Sequence, residues 1–216
     1  MTNQEFAYSL LSTGYDDYIA ARVLLNKDYH IQGLTLASSA VEKYLKVILA
    51  VNGKTKKEMG VHLDRWDKLE SMIKDCYTYI SKFLDERFLG VLGKAYQARY
   101  YDNLNAPIMI SFFKNQLIGE LDYTVSFIEK IVTLKGDQGI ELKTPYQFAV
   151  AGKEPDLFEN NYVLNGILKR DFMEMPDEGF GYYIDVQKKY TALEVEGKNV
   201  VNVYHGKIAE INLKFA

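Results

Sequence analysis

The stretch ASSAVEKYLKVILAV, residues 37–51, carries the clearest helical pattern in the chain. Its apolar side chains recur every three or four positions, which places them on one face of an α-helix. The same spacing reaches back to Ile31, and the NGK that follows, residues 52–54, is a typical helix stop. We therefore predict a helix over residues 31–51. Its buried stripe is predicted to comprise Leu34, Ala37, Val41, Tyr44, Leu45 and Ile48.

Helical spacing continues on both sides of this helix, over residues 15–134, which contain a single proline, Pro107. A first helix is predicted from an N-cap at Thr13 to Leu25, and residues 3–11 either extend it or form a separate turn. Short connections favour an antiparallel bundle of about five helices. The remaining helices are predicted at about 63–76, about 79–100 and from Pro107 to Val132. Further predicted core residues are Trp66, Phe113, Leu117 and Leu121.

Beyond residue 139 the apolar residues alternate over short runs, the pattern of β-strands. Residues 191–195 and 200–204 flank EGKN, whose Gly and Asn favour a tight turn, so we predict a hairpin there. Residues 154–176 are ambiguous and have room for a short helix. The predicted strands are 146–150, 182–186, 191–195, 202–204 and 211–215. The sequence thus indicates an α+β protein, with a helical bundle at 1–135 and a β-rich extension or small domain at 136–216.

Composition limits the possible partners. The formal charge of −3 and an isoelectric point near 5.7 argue against broad attraction to DNA or anionic lipid, so any RNA contact has to be local. The lone cysteine, Cys76, cannot form an internal disulfide. No apolar run approaches the roughly 18 residues that span a bilayer, and the first residues do not form a secretory signal. We expect a cytoplasmic protein without membrane contact.

Three stretches together resemble the HEPN family of small helical-bundle domains. Residues 37–49 resemble the pattern of its long helix, with small residues followed by Glu and Lys. GVHLDRWDKL, residues 60–69, resembles its His-Asp-Leu turn, and AYQARYYDN, residues 95–103, resembles its ARYP element with Tyr101 in place of Pro. The resemblance covers about residues 13–134. It implies a bundle that forms homodimers, a ribonuclease activity in some members, and in many cases a separately encoded nucleotidyltransferase or antitoxin partner.

In family members that cut RNA without a metal, an Arg is followed after four to six residues by a His. Counting from Arg99, the permitted positions hold Leu104, Asn105 and Ala106, so the histidine is absent. Asn105 can hydrogen-bond a phosphate or a ribose but does not titrate, and Arg does not lose its proton at working pH. This favours a non-catalytic protein that binds RNA, a nucleotide or a partner protein at Arg99. The alternatives are a ribonuclease whose base comes from elsewhere, for instance His62, and an accessory subunit of a nucleotidyltransferase or toxin–antitoxin pair.

The candidate site residues centre on Arg99. Glu42 and Lys46 stand four apart on the predicted second helix, where they form either an ordinary ion pair or, as the resemblance suggests for Glu42, a support for Arg99. Catalytic candidates are Arg99, Asn105 and Glu42. Candidate ligand or anion contacts are Arg99, Tyr100, Asn103, Asn105 and Lys46.

The histidines complete this set of candidates. We expect His62 to cap or pack a turn, and His30 and His205 to lie on the surface. None has the spacing of a metal ligand, so neither a metal nor a cofactor is expected.

Overall fold

The computed structural model describes residues 2–99, 106–136, 139–184, 191–196 and 199–203, the last two ranges as backbone. Five α-helices lie in its first part: α1 (Asn3–Asn26), α2 (His30–Val51), α3 (Trp66–Lys74), α4 (Glu86–Ala98) and α5 (Lys114–Ile131). Short 3-10 turns at Leu63–Arg65 and Ile80–Lys82 precede α3 and α4. The strands are β1 (Ile108–Phe113), β2 (Leu134–Lys135), β3 (Glu141–Leu142), β4 (Gly179–Ile184), β5 (Thr191–Glu196) and β6 (Asn199–Val203). Three further helices are α6 (Pro145–Gly152), α7 (Pro155–Phe158) and α8 (Lys169–Met173).

Helices α1 and α2 form a long hairpin that supplies much of the core. The opening residues extend α1, and its N-cap is Thr2 rather than the predicted Thr13. The Thr2 hydroxyl accepts from the Glu5 amide and the Glu5 carboxylate accepts from the Thr2 amide, which is a capping box. Helix α2 ends as predicted at NGK, where Gly53 has a φ of +86°. Of the predicted core, these residues are buried: Leu34, Ala37, Val41, Tyr44, Leu45, Ile48, Leu117 and Leu121. Trp66 is only partly buried.

The predicted fifth helix was wrong over its first residues, which form strand β1. Along this strand the side chains are alternately buried and exposed, and Phe113 is 52% exposed instead of lying in the core. Helix α5 begins only at Lys114. The amides of Asn115 and Gln116, in its first turn, have no acceptor within the helix. They donate to the carboxylate of Asp177 at 2.8 and 2.9 Å. A cap that lies so far along the chain leaves no local signal in the sequence.

Strand β1 joins the antiparallel sheet β1-β4-β5-β6. The predicted hairpin is confirmed, because β5 pairs with β6 and Glu196 stands opposite Asn199. The predicted strand at 211–215, together with residues 185–186 and Tyr204 of two others, lies outside the described residues. The protein is therefore mainly helical with a small antiparallel sheet.

The predicted strand at 146–150 was wrong, because these residues belong to helix α6. Thr144 and Gln147 form a capping box at its start, and Pro145 occupies the first helical position. The capping box and the proline are visible in the sequence, but the short apolar run that follows fits a strand as well as a helix. Residues 154–176, whose sequence pattern is ambiguous, contain two short helices, α7 and α8.

Buried polar contacts connect the helical part to the later segment. The guanidinium of Arg22 is fully buried, contacts the carboxylate of Asp122 on α5, and donates to the carbonyl oxygens of Asp156 and Glu159. The Tyr18 hydroxyl donates to the same carboxylate at 2.7 Å. Residues on either side of position 135 therefore share a sheet and the buried hydrogen bonds that Arg22 donates.

None of the described helices combines the length and the apolar character needed to cross a bilayer.

Candidate functional site

Glu42 lies at the centre of a polar group between α2 and the turn before α3. Its Oε1 lies 2.7 Å from Nζ of Lys46 and 3.0 Å from Nδ1 of His62, and its Oε2 accepts a hydrogen bond from the Leu63 amide at 3.0 Å. The side chains of Glu42 and Lys46 are each only 12% exposed. The pair is thus more than a solvated surface contact, because the carboxylate also satisfies the amide at the start of the Leu63–Arg65 turn.

His62 connects Glu42 to helix α4. Its imidazole stacks on the ring of Tyr96, with the centroids 5.1 Å apart and the planes at 21°. The side chain is half exposed, and Nδ1 is the ring nitrogen that faces the carboxylate. The expected packing role of His62 is therefore seen. A carboxylate on one nitrogen fixes the orientation of an imidazole and leaves the other nitrogen for a second partner.

Arg99 is the last member of this polar group and lies at the carboxyl end of α4. Asp85 is the N-cap of helix α4 and its carboxylate accepts from the Phe88 amide at 2.7 Å, and Arg99 is the C-cap of the same helix. The Arg99 side chain is exposed, and its Cζ lies 5.8 Å from the centroid of the Tyr96 ring. We call Glu42, Lys46, His62, Tyr96 and Arg99 the α2–α4 cluster.

The cluster does not place Glu42 against Arg99. Within the described part of the chain, no hydrogen bond or ion pair joins these two side chains, and Arg99 has no carboxylate partner. His62 and Tyr96 lie between them as a stacked pair. Lys46 forms an ion pair with Glu42, so Arg99 is the exposed cation of the cluster.

Sequence reasoning named every member of the cluster except Tyr96. A signal was present, because Tyr96 stands three residues before Arg99, and residues at this spacing meet on a helix surface. The other predicted contacts, Tyr100, Asn103 and Asn105, lie outside the described residues, as does His205.

His30 was predicted to lie on the surface, and this was wrong. It is 4% exposed and packs among aromatic side chains of the sheet. Its sequence position, just after a turn and at the start of a helix, gave no indication of a sheet that forms from distant residues.

Two interior carboxyl groups have strongly raised pKa values. Burial raises the pKa of Asp122 to about 6, although the guanidinium of Arg22 opposes the shift. Burial raises the pKa of Glu129 to about 7, with hydroxyl groups of Thr144 and Tyr44 hydrogen-bonded to its carboxyl at 2.7 and 3.1 Å. Both groups are buried, so they belong to the core and cannot meet a substrate.

The described ranges contain no cluster of His, Cys, Asp and Glu suited to a metal ion. Cys76 is partly buried, and burial raises the pKa of its thiol, which lowers its reactivity.

No family model, curated protein or solved structure matches this chain.

Proposed function

We propose that this chain is a non-catalytic, HEPN-like protein that forms homodimers and binds RNA or a nucleotide through Arg99. The observation that carries the proposal is the exposed guanidinium of Arg99, which has no carboxylate partner among the described residues. A guanidinium binds phosphate through two parallel hydrogen bonds and keeps its charge at every working pH.

The aromatic rings beside Arg99 favour a nucleic-acid ligand over a simple anion. His62 and Tyr96 are stacked, and His62 is half exposed, so an unpaired base has an aromatic surface close to the phosphate contact. With one free cation in the cluster and a negative net charge, binding should depend weakly on salt. A slope of about −0.7 in log affinity against log salt is expected for one contacted phosphate on a single strand.

Fluorescence anisotropy with a labelled single-stranded RNA tests this proposal. Arg99→Ala should weaken binding about tenfold or more, since it removes a charge-assisted contact. Arg87→Ala is the matched control, because Arg87 is exposed on the same helix, about 18 Å away along its axis. Equal losses in the two variants would mean that only net charge matters.

Light scattering of the wild type with and without RNA tests the homodimer, and a monomer in both states would contradict that part.

A second candidate function is metal-independent RNA cleavage with His62 as general base. The contact between Glu42 and Nδ1 of His62 favours it, because a carboxylate that orients an imidazole is a common feature of general bases. In this reaction the base takes the proton of a ribose 2′-hydroxyl, and the 2′-oxygen attacks the adjacent phosphorus. A 2′,3′-cyclic phosphate forms as the bond between phosphorus and the 5′-oxygen breaks, and the leaving 5′-oxygen takes a proton from water, while Arg99 stabilises the charge on the phosphorane.

Incubation of purified protein with RNA in EDTA separates the two functions. We expect no cleavage above background, because Leu104, Asn105 and Ala106 occupy the positions where the HEPN histidine is expected. Cleavage by the wild type that is lost in both His62→Gln and Arg99→Ala, but kept in Arg87→Ala, would establish the second function instead.

A further inference from the structure

His30 is the point where the α1–α2 hairpin meets the sheet. It is the first residue of α2, and its ring lies 4.0 Å from the ring of Phe180 and 5.6 Å from that of Phe112, measured between centroids. Its Nδ1 is hydrogen-bonded to the hydroxyl group of Tyr182. The aromatic neighbours come from β1 and β4, so a single imidazole contacts both strands.

The charged groups around His30 do not prepare the site for a full imidazolium. Nε2 lies 3.5 Å from Oδ1 of Asp28, beyond a good hydrogen bond, and has no hydrogen-bond partner in the described part of the chain. Asp28 is 62% exposed and already pairs with Lys114 at 2.5 Å. Glu178, just before β4, contributes at longer range. The cation of Lys114 and the loss of hydration on burial therefore act against the two carboxylates.

We propose that His30 acts as a proton-operated latch, whose protonation loosens the β1–β4 layer from the α1–α2 hairpin. The latch is independent of the proposed function at Arg99. In the tautomer with its proton on Nε2, which faces Asp28, the neutral ring accepts a hydrogen bond from the Tyr182 hydroxyl group at Nδ1. The protonated ring has an N–H at both nitrogens, so the hydrogen bond to Tyr182 has to reverse its direction while a charge enters a buried site.

The direction of the pH effect follows from linkage. Burial lowers the pKa of His30, and Asp28 opposes this only in part. A histidine in the unfolded or undocked chain titrates near pH 6.5. The docked layer therefore binds fewer protons than the loosened one between the two pKa values, and its stability falls as the pH drops. The equilibrium constant for opening rises by up to about tenfold for each pH unit in that window.

Hydrogen–deuterium exchange at about pH 7.5 and about pH 5, corrected for intrinsic exchange, tests the latch. In the wild type, protection of the β1 and β4 amides should fall about tenfold on acidification, while that of the α1–α2 hairpin changes less. His30→Gln keeps a hydrogen-bonding side chain but cannot titrate, so the fall should shrink to about twofold or less. His62→Gln is the control for loss of a histidine and should behave like the wild type.

The same tenfold fall in His30→Gln, or no fall in the wild type, would overturn the proposal. If His30→Gln fails to fold, NMR titration of the wild type decides. The imidazole signal of His30 and the amide signals of β4 must then change with one common midpoint, and separate midpoints would contradict the latch.

Discussion

Glu42 shows how one carboxylate can hold several polar groups in place. Its carboxylate holds His62 and the Leu63 amide on one side and Lys46 on the other. Leu63 is buried, so its amide has no alternative partner in water if the carboxylate is removed.

Glu42→Ala should therefore lower the free energy of unfolding by about 1–3 kcal/mol, measured by urea denaturation. Glu70→Ala is the matched control. Glu70 pairs with Lys74 in the same i,i+4 arrangement at 2.8 Å, but Lys74 is 43% exposed. A loss below about 1 kcal/mol is expected there. If the two variants lose the same stability, the Leu63 contact contributes nothing.

Glu129 gives a pH-dependent prediction of the opposite sign to that for His30. Its pKa in the folded protein, about 7, lies above the ordinary value of 4.5 because of burial. The folded state is therefore favoured by protonation, fully so below about pH 4.5, and this stabilisation is lost as the pH rises through 7. The wild type should lose on the order of 3 kcal/mol of unfolding free energy between about pH 5 and 8, and Glu129→Gln should not show this loss. Urea unfolding at several pH values measures it, and parallel profiles for the two proteins would contradict it.

Single residues also show where the sequence was insufficient. Glu42 and Lys46 were recognisable as a pair because they stand one helical turn apart. Glu129 and His30 have the sequence context of surface residues, and their burial depends on Thr144, Tyr44 and Tyr182, which are distant in the chain.

Among the elements, the α1–α2 hairpin depends on one close approach. A Cβ added to Gly33 would lie 2.7 Å from Cγ of Leu25 and 3.2 Å from its backbone nitrogen. The helices can therefore meet at this point only if no side chain stands there.

Gly33→Ala should destabilise the protein by about 1–3 kcal/mol through overpacking, although alanine favours the helical state. Gly90→Ala provides the contrast, because Gly90 is exposed on α4 and a Cβ there would meet nothing within 4 Å. It should stabilise by about 0.5–1 kcal/mol. Thermal melts of both variants measure the difference, and a stabilised Gly33→Ala would show that α1 and α2 separate easily.

Periodicity predicted α2 because the helix is long. It predicted the β5–β6 hairpin because the two strands are close in sequence. It failed at β1 and α6, where an apolar run of five or six residues fits either period. At α6 the capping box decided the outcome. At β1 the pairing with β4 and the cap from Asp177 decided it, and both are long-range contacts.

For the whole molecule, the segment after residue 135 completes the structure of the helical part. Strand β4 pairs with β1, and carbonyl oxygens at 156 and 159 accept from the buried Arg22. The general α+β character was predictable, but these shared contacts were not, because the change from helical to alternating spacing near residue 139 indicated only where an extension or small domain begins.

Truncation after Lys135 should therefore abolish a cooperative melt or produce association in light scattering. The shortened chain exposes the edge of β1 that pairs with β4 and leaves Arg22 without its carbonyl acceptors. An unpaired strand edge promotes aggregation. A truncated chain that melts cooperatively as the full chain does, with the same oligomeric state, would show that the two parts are independent.

The pairing of β1 with β4 also matters while the protein is being made. About seventy residues separate the two strands. At 5–20 residues per second, the ribosome needs roughly 4 to 14 s to add them. During that time the uncharged segment IMISFF has left the exit tunnel without its partner, and such a segment is easily captured by other chains. The nascent protein therefore has a defined period in which a chaperone that binds short apolar stretches would increase its yield.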